Sequence, residues 1–146
     1  MTVQTSKSFL KVFGIIDIIL GVLILILSVL ALAGGGLLAS GIVPSEEVDA
    51  GVSGGLVIVA GIAMLVMGVF SLAEGILSRR AAKNPAKAQP AFVFAIISLV
   101  LSAINLINAI FGGSSPVSAL VSVVINALLV VAANTLRKEG GEAPEE

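Results

Sequence analysis

An aspartate stands at position 17 inside the apolar run FGIIDIILGVLI. An ionisable group within a membrane-length apolar segment is expensive, and it marks a functional candidate by default. Its natural chemistry there is to couple to, or select, an ion. A second acid, Glu74, closes another apolar run five residues before Arg79. It is expected near a membrane boundary, paired with basic residues. The third group is uncharged. Ser98, Ser102, Asn105 and Asn108 occupy one run, and Ser118, Ser122 and Asn126 the next. Steps of three and four place each set on one side of a helix. Such groups join helices by hydrogen bonds worth about 0.6–2 kcal/mol each, or they line a path for an ion or small solute. Counting about 1.5 Å per residue from the turn between the runs, Asn105 reaches the depth of Ser122, and Asn126 that of Ser102.

Other chemistries are excluded by composition. The chain has no histidine and no cysteine. Ser-His and Cys-His pairs cannot form, and disulfides, thiol redox reactions and the commonest metal ligands are missing. One acid is clearly deep, so an aspartyl pair lacks its second member. Gly34, Gly35 and Gly36 end an apolar run and do not join a strand to a helix, as a phosphate loop does. The residues predict no enzyme, no cofactor and no metal, and they point to no known small-molecule substrate. Glu46, Glu47 and Asp49 form an acidic patch in a loop, with too few convergent oxygens for calcium.

The elements that position these residues follow from solvent. Of the 146 residues, 58% are hydrophobic and 12% charged, with a mean hydropathy of +1.16. A soluble domain carries about 25% charge. Four apolar runs are long enough for the roughly 20 helical residues that span a bilayer, at about 9–40, 52–78, 91–111 and 116–136. In lipid the backbone must satisfy itself, so each is a helix. The expectation is an all-α integral membrane protein, with one four-helix domain over residues 1–138 and an acidic flexible tail at 139–146. Ser8 is placed to cap the first helix. Ala31-Leu32-Ala33 looks like a signal-peptide cleavage site, but the run before it is too long and contains Asp17, so the segment reads as a retained helix.

Threading follows from the basic residues. Lys7 and Lys11 precede the first run, Arg79, Arg80, Lys83 and Lys87 separate the second from the third, and Arg137 and Lys138 follow the fourth. All eight therefore fall on one side. The positive-inside rule makes both termini and the middle connection cytoplasmic, in an up-down-up-down bundle in the cell membrane. Arg79, Arg80, Lys83 and Lys87 are expected to meet anionic headgroups. A nucleic-acid role would need a larger basic surface with aromatics. With Trp and Tyr absent, phenylalanines serve as interfacial aromatics: Phe9, Phe13, Phe70, Phe92 and Phe94 inside, Phe111 outside.

Small residues recur every seven positions. Gly54, Gly61, Gly68 and Gly75 mark the second run, and Gly14, Gly21, Ser28 and Gly35 the first. Ala91, Ser98, Asn105 and Gly112 follow the same step in the third, and Ala119, Asn126 and Ala133 in the fourth. A step of seven drifts only about 20° around a helix. The result is a groove along which a neighbouring backbone comes close, a main source of association in lipid. Asp17 lies about 20° from Ser28 and about 40° from Gly21 on the same helix, so it points towards that face.

In length and glycine heptads the chain resembles rotor proteolipids of membrane ATPases. Asn105 and Asn126 stand nearest their ion-binding carboxylate and cannot ionise. It is similar to small multidrug-resistance transporters in having four helices with an acid in the first, at Asp17. Their aromatic cage has no counterpart here. It is similar to claudin-like proteins in threading, without their Trp and Cys motif. The residues therefore predict a non-enzymatic multi-pass membrane protein acting through helix packing and assembly, with itself or another membrane protein as partner. A small transporter or channel using Asp17 and the Ser/Asn stripe is the alternative, and a holin-like pore former the third.

Overall fold

The computed structural model describes residues 1–39, 50–112 and 116–141, with the side chains of residues 37–39 and 50–53 not described. Four α-helices follow one another: α1 (Val3–Ala39), α2 (Ala50–Lys83), α3 (Ala88–Phe111) and α4 (Val117–Gly141). A short 3₁₀ turn, Pro85–Lys87, separates α2 from α3. No strand occurs among the described residues. The chain is all-α, and each helix is long and apolar enough to cross a membrane. It is an integral membrane protein by that measure. The acidic patch Glu46, Glu47 and Asp49 lies outside the described residues.

Several helix ends reach further than the hydropathy predicts. Helix α1 begins at Val3, before Ser8. Thr2 supplies the side-chain oxygen instead, accepting from the Thr5 amide at 3.3 Å. Helix α2 continues through Arg79 and Arg80 to Lys83. The middle connection, expected as a loop, is helical except at Asn84. Asn84 is extended, and its side chain accepts from the Ala86 amide at 3.1 Å, starting the 3₁₀ turn. Pro90 sits in the first turn of α3, where its missing N–H costs no hydrogen bond. Helix α4 runs to Gly141, so the first three residues of the expected tail are helical. Hydropathy misses these ends because they are polar turns continuing beyond the apolar stretch.

Contacts cluster into two units. The first contains residues 1–16 and the chain from Glu74 onward. Its core is Leu10, Ala81, Ala88, Ala91, Ala132, Ala133 and Leu136, with Phe9, Leu77 and Phe92 packed against it. Most of these are alanine, which lets helix axes come close. Helices α3 and α4 pack directly on one another, and α4 also packs on the 3₁₀ turn. There Gly140 fits against backbone: an added Cβ would stand 2.5 Å from the Pro85 carbonyl oxygen and 2.6 Å from the Ala86 amide. Arg137 lies over the Phe92 ring, 4.2 Å from its centre, and donates to Asn134 Oδ1 at 2.9 Å. Lys7 pairs with Glu139 at 3.8 Å on a half-exposed surface, where such a pair contributes about 0–1 kcal/mol.

The second unit is residues 17–73. Its buried side is small and polar: Asp17, Gly21, Ser28, Gly35, Gly54, Gly61 and Gly68. Ile19, Leu23, Leu30, Val59, Val66 and Met67 are each more than half exposed. This inversion of the soluble pattern is what lipid demands, since hydrocarbon solvates leucine as well as a protein core does.

Candidate functional site

All eight small positions of the α1 and α2 heptads are buried. Within residues 17–73, an added Cβ at Gly21 would meet the Leu72 amide at 2.9 Å and the Gly68 carbonyl at 3.1 Å. At Gly35 it would meet the Ile58 amide at 3.0 Å and the Gly54 carbonyl at 3.1 Å. Gly61 faces the Leu32 amide and Gly68 the Leu25 amide, each at 3.2 Å. In the other unit a Cβ at Gly14 would meet the Gly75 carbonyl at 2.7 Å. Each glycine meets backbone in reverse sequence order. Ser28 keeps the seam closed by turning its hydroxyl to the Leu25 carbonyl of its own helix, at 2.7 Å. By contrast, Gly34, Gly36 and Gly55 have nothing within 4 Å of a Cβ.

Asp17 lies on this buried face, 8% exposed. Its main-chain carbonyl accepts from Ser71 Oγ at 3.0 Å. The alternation of small residues that predicts the face therefore also carries the acid inward.

Glu74 is equally buried, at 8% exposed, and its hydrogen-bond partner is not a basic residue. Ser98 Oγ donates to Glu74 Oε2 at 2.7 Å. Oε1 is buried with no hydrogen-bond partner among the described residues. Near this pair, Asn126 Nδ2 reaches the Ser98 carbonyl at 3.5 Å, the long limit of a hydrogen bond. A carboxyl on α2 and a hydroxyl on α3 are thus joined inside the first unit.

Comparison with protein-family models, curated proteins and solved structures finds no match.

The Ser/Asn stripe divides into two parts. Ser98 and Ser102 are buried, and Asn126 is half-buried. Ser102 Oγ turns to the Leu99 carbonyl at 2.9 Å. Towards the other end of α3 and α4, Asn105, Asn108, Ser118 and Ser122 are exposed. Ser122 donates to the Ser118 carbonyl of its own helix at 3.0 Å and so is satisfied without a neighbour. The depth match with Asn105 does not become a hydrogen bond, because a serine in a helix has a carbonyl of its own within reach. Neither Asn105 nor Asn108 makes a side-chain hydrogen bond among the described residues.

The basic cluster is mixed. Arg80, Lys83 and Lys87 are exposed, whereas Arg79 is half-buried, with its Cγ 2.8 Å from a Cβ built at Gly14. Arg79 therefore packs its stem on α1 as well as presenting charge. Glu74 is expected beside Arg79 at a boundary; the structure gives it instead Ser98 of α3, one of the serines expected to join helices by hydrogen bonds, and the sequence does not show that these two positions meet.

Proposed function

We propose that the chain is a non-enzymatic multi-pass membrane protein that acts through helix packing and assembly, with itself or another membrane protein as partner. In this reading the bundle is up-down-up-down in the cell membrane, both termini are cytoplasmic, and the glycine seams are a zipper spent inside the chain. The observation that carries the assembly is the exposed pair Asn105 and Asn108, which has no hydrogen-bond partner among the described residues. A carboxamide facing hydrocarbon forfeits hydrogen bonds that a second protein surface restores. The seam glycines give no such support, because their close contacts are already made within the chain.

Cross-linking tests this. The chain has no cysteine, so a single introduced thiol reports without background. Leu101 shares the helix face of Asn105 and Asn108, and Ile107 lies about 100° away from Asn108. Both leucine and isoleucine are about half exposed, at 54% and 52%. Leu101→Cys should give a covalent pair, or a covalent adduct to a partner, in native membranes, and Ile107→Cys should give none. Absence of any product from Leu101→Cys and from a neighbouring Ile104→Cys counts against assembly through this face.

A small transporter or channel is the second reading. It is favoured by two acids, Asp17 and Glu74, each buried within a span. Ion flux into liposomes that vanishes in Asp17→Asn supports it; absence of flux for protons and alkali cations removes it.

A further inference from the structure

Glu74 lies within the second span, buried, with one carboxyl oxygen held by Ser98 and the other facing no donor among the described residues. An unmatched carboxylate oxygen removed from water is costly, and removing the remaining partner of a buried charge is among the most destabilising changes known. Serine has one proton to give and it goes to Oε2. The other oxygen therefore calls for a positive species small enough to enter a closed helix contact.

The surrounding charges do not supply one. Helix α3 carries no charged residue between Ala88 and Phe111. On α4, Arg137 is directed to Asn134 and Phe92, and Glu139 to Lys7. On the α1 segment of this unit, Lys7 is committed to Glu139 and Lys11 is exposed. On α2 itself, Arg79 is half-buried and Arg80 exposed, and neither pairs with Glu74. Asp17, the remaining acid inside the spans, is itself an acid and supplies no positive charge. No cluster of three acidic, histidine or cysteine residues is present among the described residues, which rules against a divalent ion held by carboxylates.

We propose that Glu74 and Ser98 form a binding site for a small monovalent cation, a proton or a sodium ion, within the membrane. Glu74 Oε1 takes the cation, Ser98 orients the carboxyl through Oε2, and Asn126 steadies the Ser98 backbone. This goes beyond assembly and does not depend on it.

The test is covalent labelling of the full chain in liposomes with dicyclohexylcarbodiimide, an apolar reagent that reacts with protonated carboxyls. Adducts are located by peptide mass. The expected result is an adduct at Glu74 that is absent in Glu74→Gln, where Ser98 still has an oxygen to bond. If the occupant is a proton, labelling falls with rising pH, approaching about tenfold per unit, and is indifferent to sodium. If the occupant is sodium, added sodium suppresses labelling at fixed pH and potassium does not. Infrared difference spectra provide the second readout. A protonated-carboxyl band, or a sodium-dependent carboxylate shift, should be present in the parent and in Asp17→Asn and lost in Glu74→Gln. No adduct at Glu74 together with no Glu74-dependent band overturns the proposal, and so does labelling that is insensitive to both pH and sodium.

Discussion

Gly21→Leu should separate the two helical segments of residues 17–73. The glycine has no room for even one carbon: a Cβ would lie 2.8 Å from Leu72 Cγ, 2.9 Å from the Leu72 amide and 3.1 Å from the Gly68 carbonyl. Two of these neighbours are backbone, so no rotamer change relieves them. Leucine adds three further carbons in the same direction. Overpacking ordinarily costs about 1–3 kcal/mol and more where backbone must move, and the upper end is expected here. In nanodiscs or mild detergent the variant should show a markedly lower thermal midpoint than the parent. The controls sit side by side in the Gly34-Gly35-Gly36 triplet. Gly35→Ala places its methyl 3.0 Å from the Ile58 amide and should destabilise. Gly34→Ala and Gly36→Ala meet nothing within 4 Å and should be neutral or slightly stabilising, since alanine is the better helix former. Parent-like stability of Gly21→Leu, or equal effects across the triplet, removes the seam from the account.

Leu136→Ala should be the most damaging truncation in the other unit. Leu136 is fully buried among Leu10, Ala81, Ala88, Ala132 and Ala133. Its neighbours are mostly alanines already, and they have no longer side chain to swing into the space. Leucine truncation in a closed core costs about 2–5 kcal/mol, part transfer and part cavity. In lipid the transfer part shrinks, because the opened state still surrounds leucine with hydrocarbon. The lower end, about 2 kcal/mol, is therefore expected. Val131→Ala, half exposed on the adjoining face, should fall within about 0.5 kcal/mol of the parent. Denaturant or thermal unfolding of the two variants in one bilayer mimic reads the difference. A Leu136→Ala midpoint no lower than that of Val131→Ala contradicts the assigned core.

Four membrane-length helices were legible in the sequence because hydrocarbon leaves a polypeptide few alternatives, and the four apolar runs announce it. The buried positions of α1 and α2 were legible too: a glycine that recurs at seven residues while large apolar residues fill the other faces marks where backbone approaches. Helix ends were not. Lys83 and Gly140 sit in polar turns to which a hydropathy argument is blind, and Gly140 owes its place to the backbone at Pro85, distant in sequence. The candidate site was half legible. Asp17 was visible as an acid in an apolar run. Glu74 looked like a boundary residue because its depth was judged from Arg79, and depth along one helix says nothing of what packs beside it. Its bond to Ser98 is tertiary. Conversely, the asparagine–serine match drawn from equal depth at Asn105 and Ser122 fails because depth gives no rotation: Asn105 faces outward, and Ser122 closes on its own helix.

Assembly through the exposed asparagine face is tested most directly by subunit number. The measurement is native mass spectrometry of the full chain released from nanodiscs, for the parent and for the Asn105→Leu/Asn108→Leu variant. The prediction is a defined complex for the parent, of several copies or of one copy with a partner, and single chains for the variant. The Gly34→Ala control should assemble like the parent. A parent that is a single chain at every loading, or a complex that survives both leucines unchanged, contradicts the proposal.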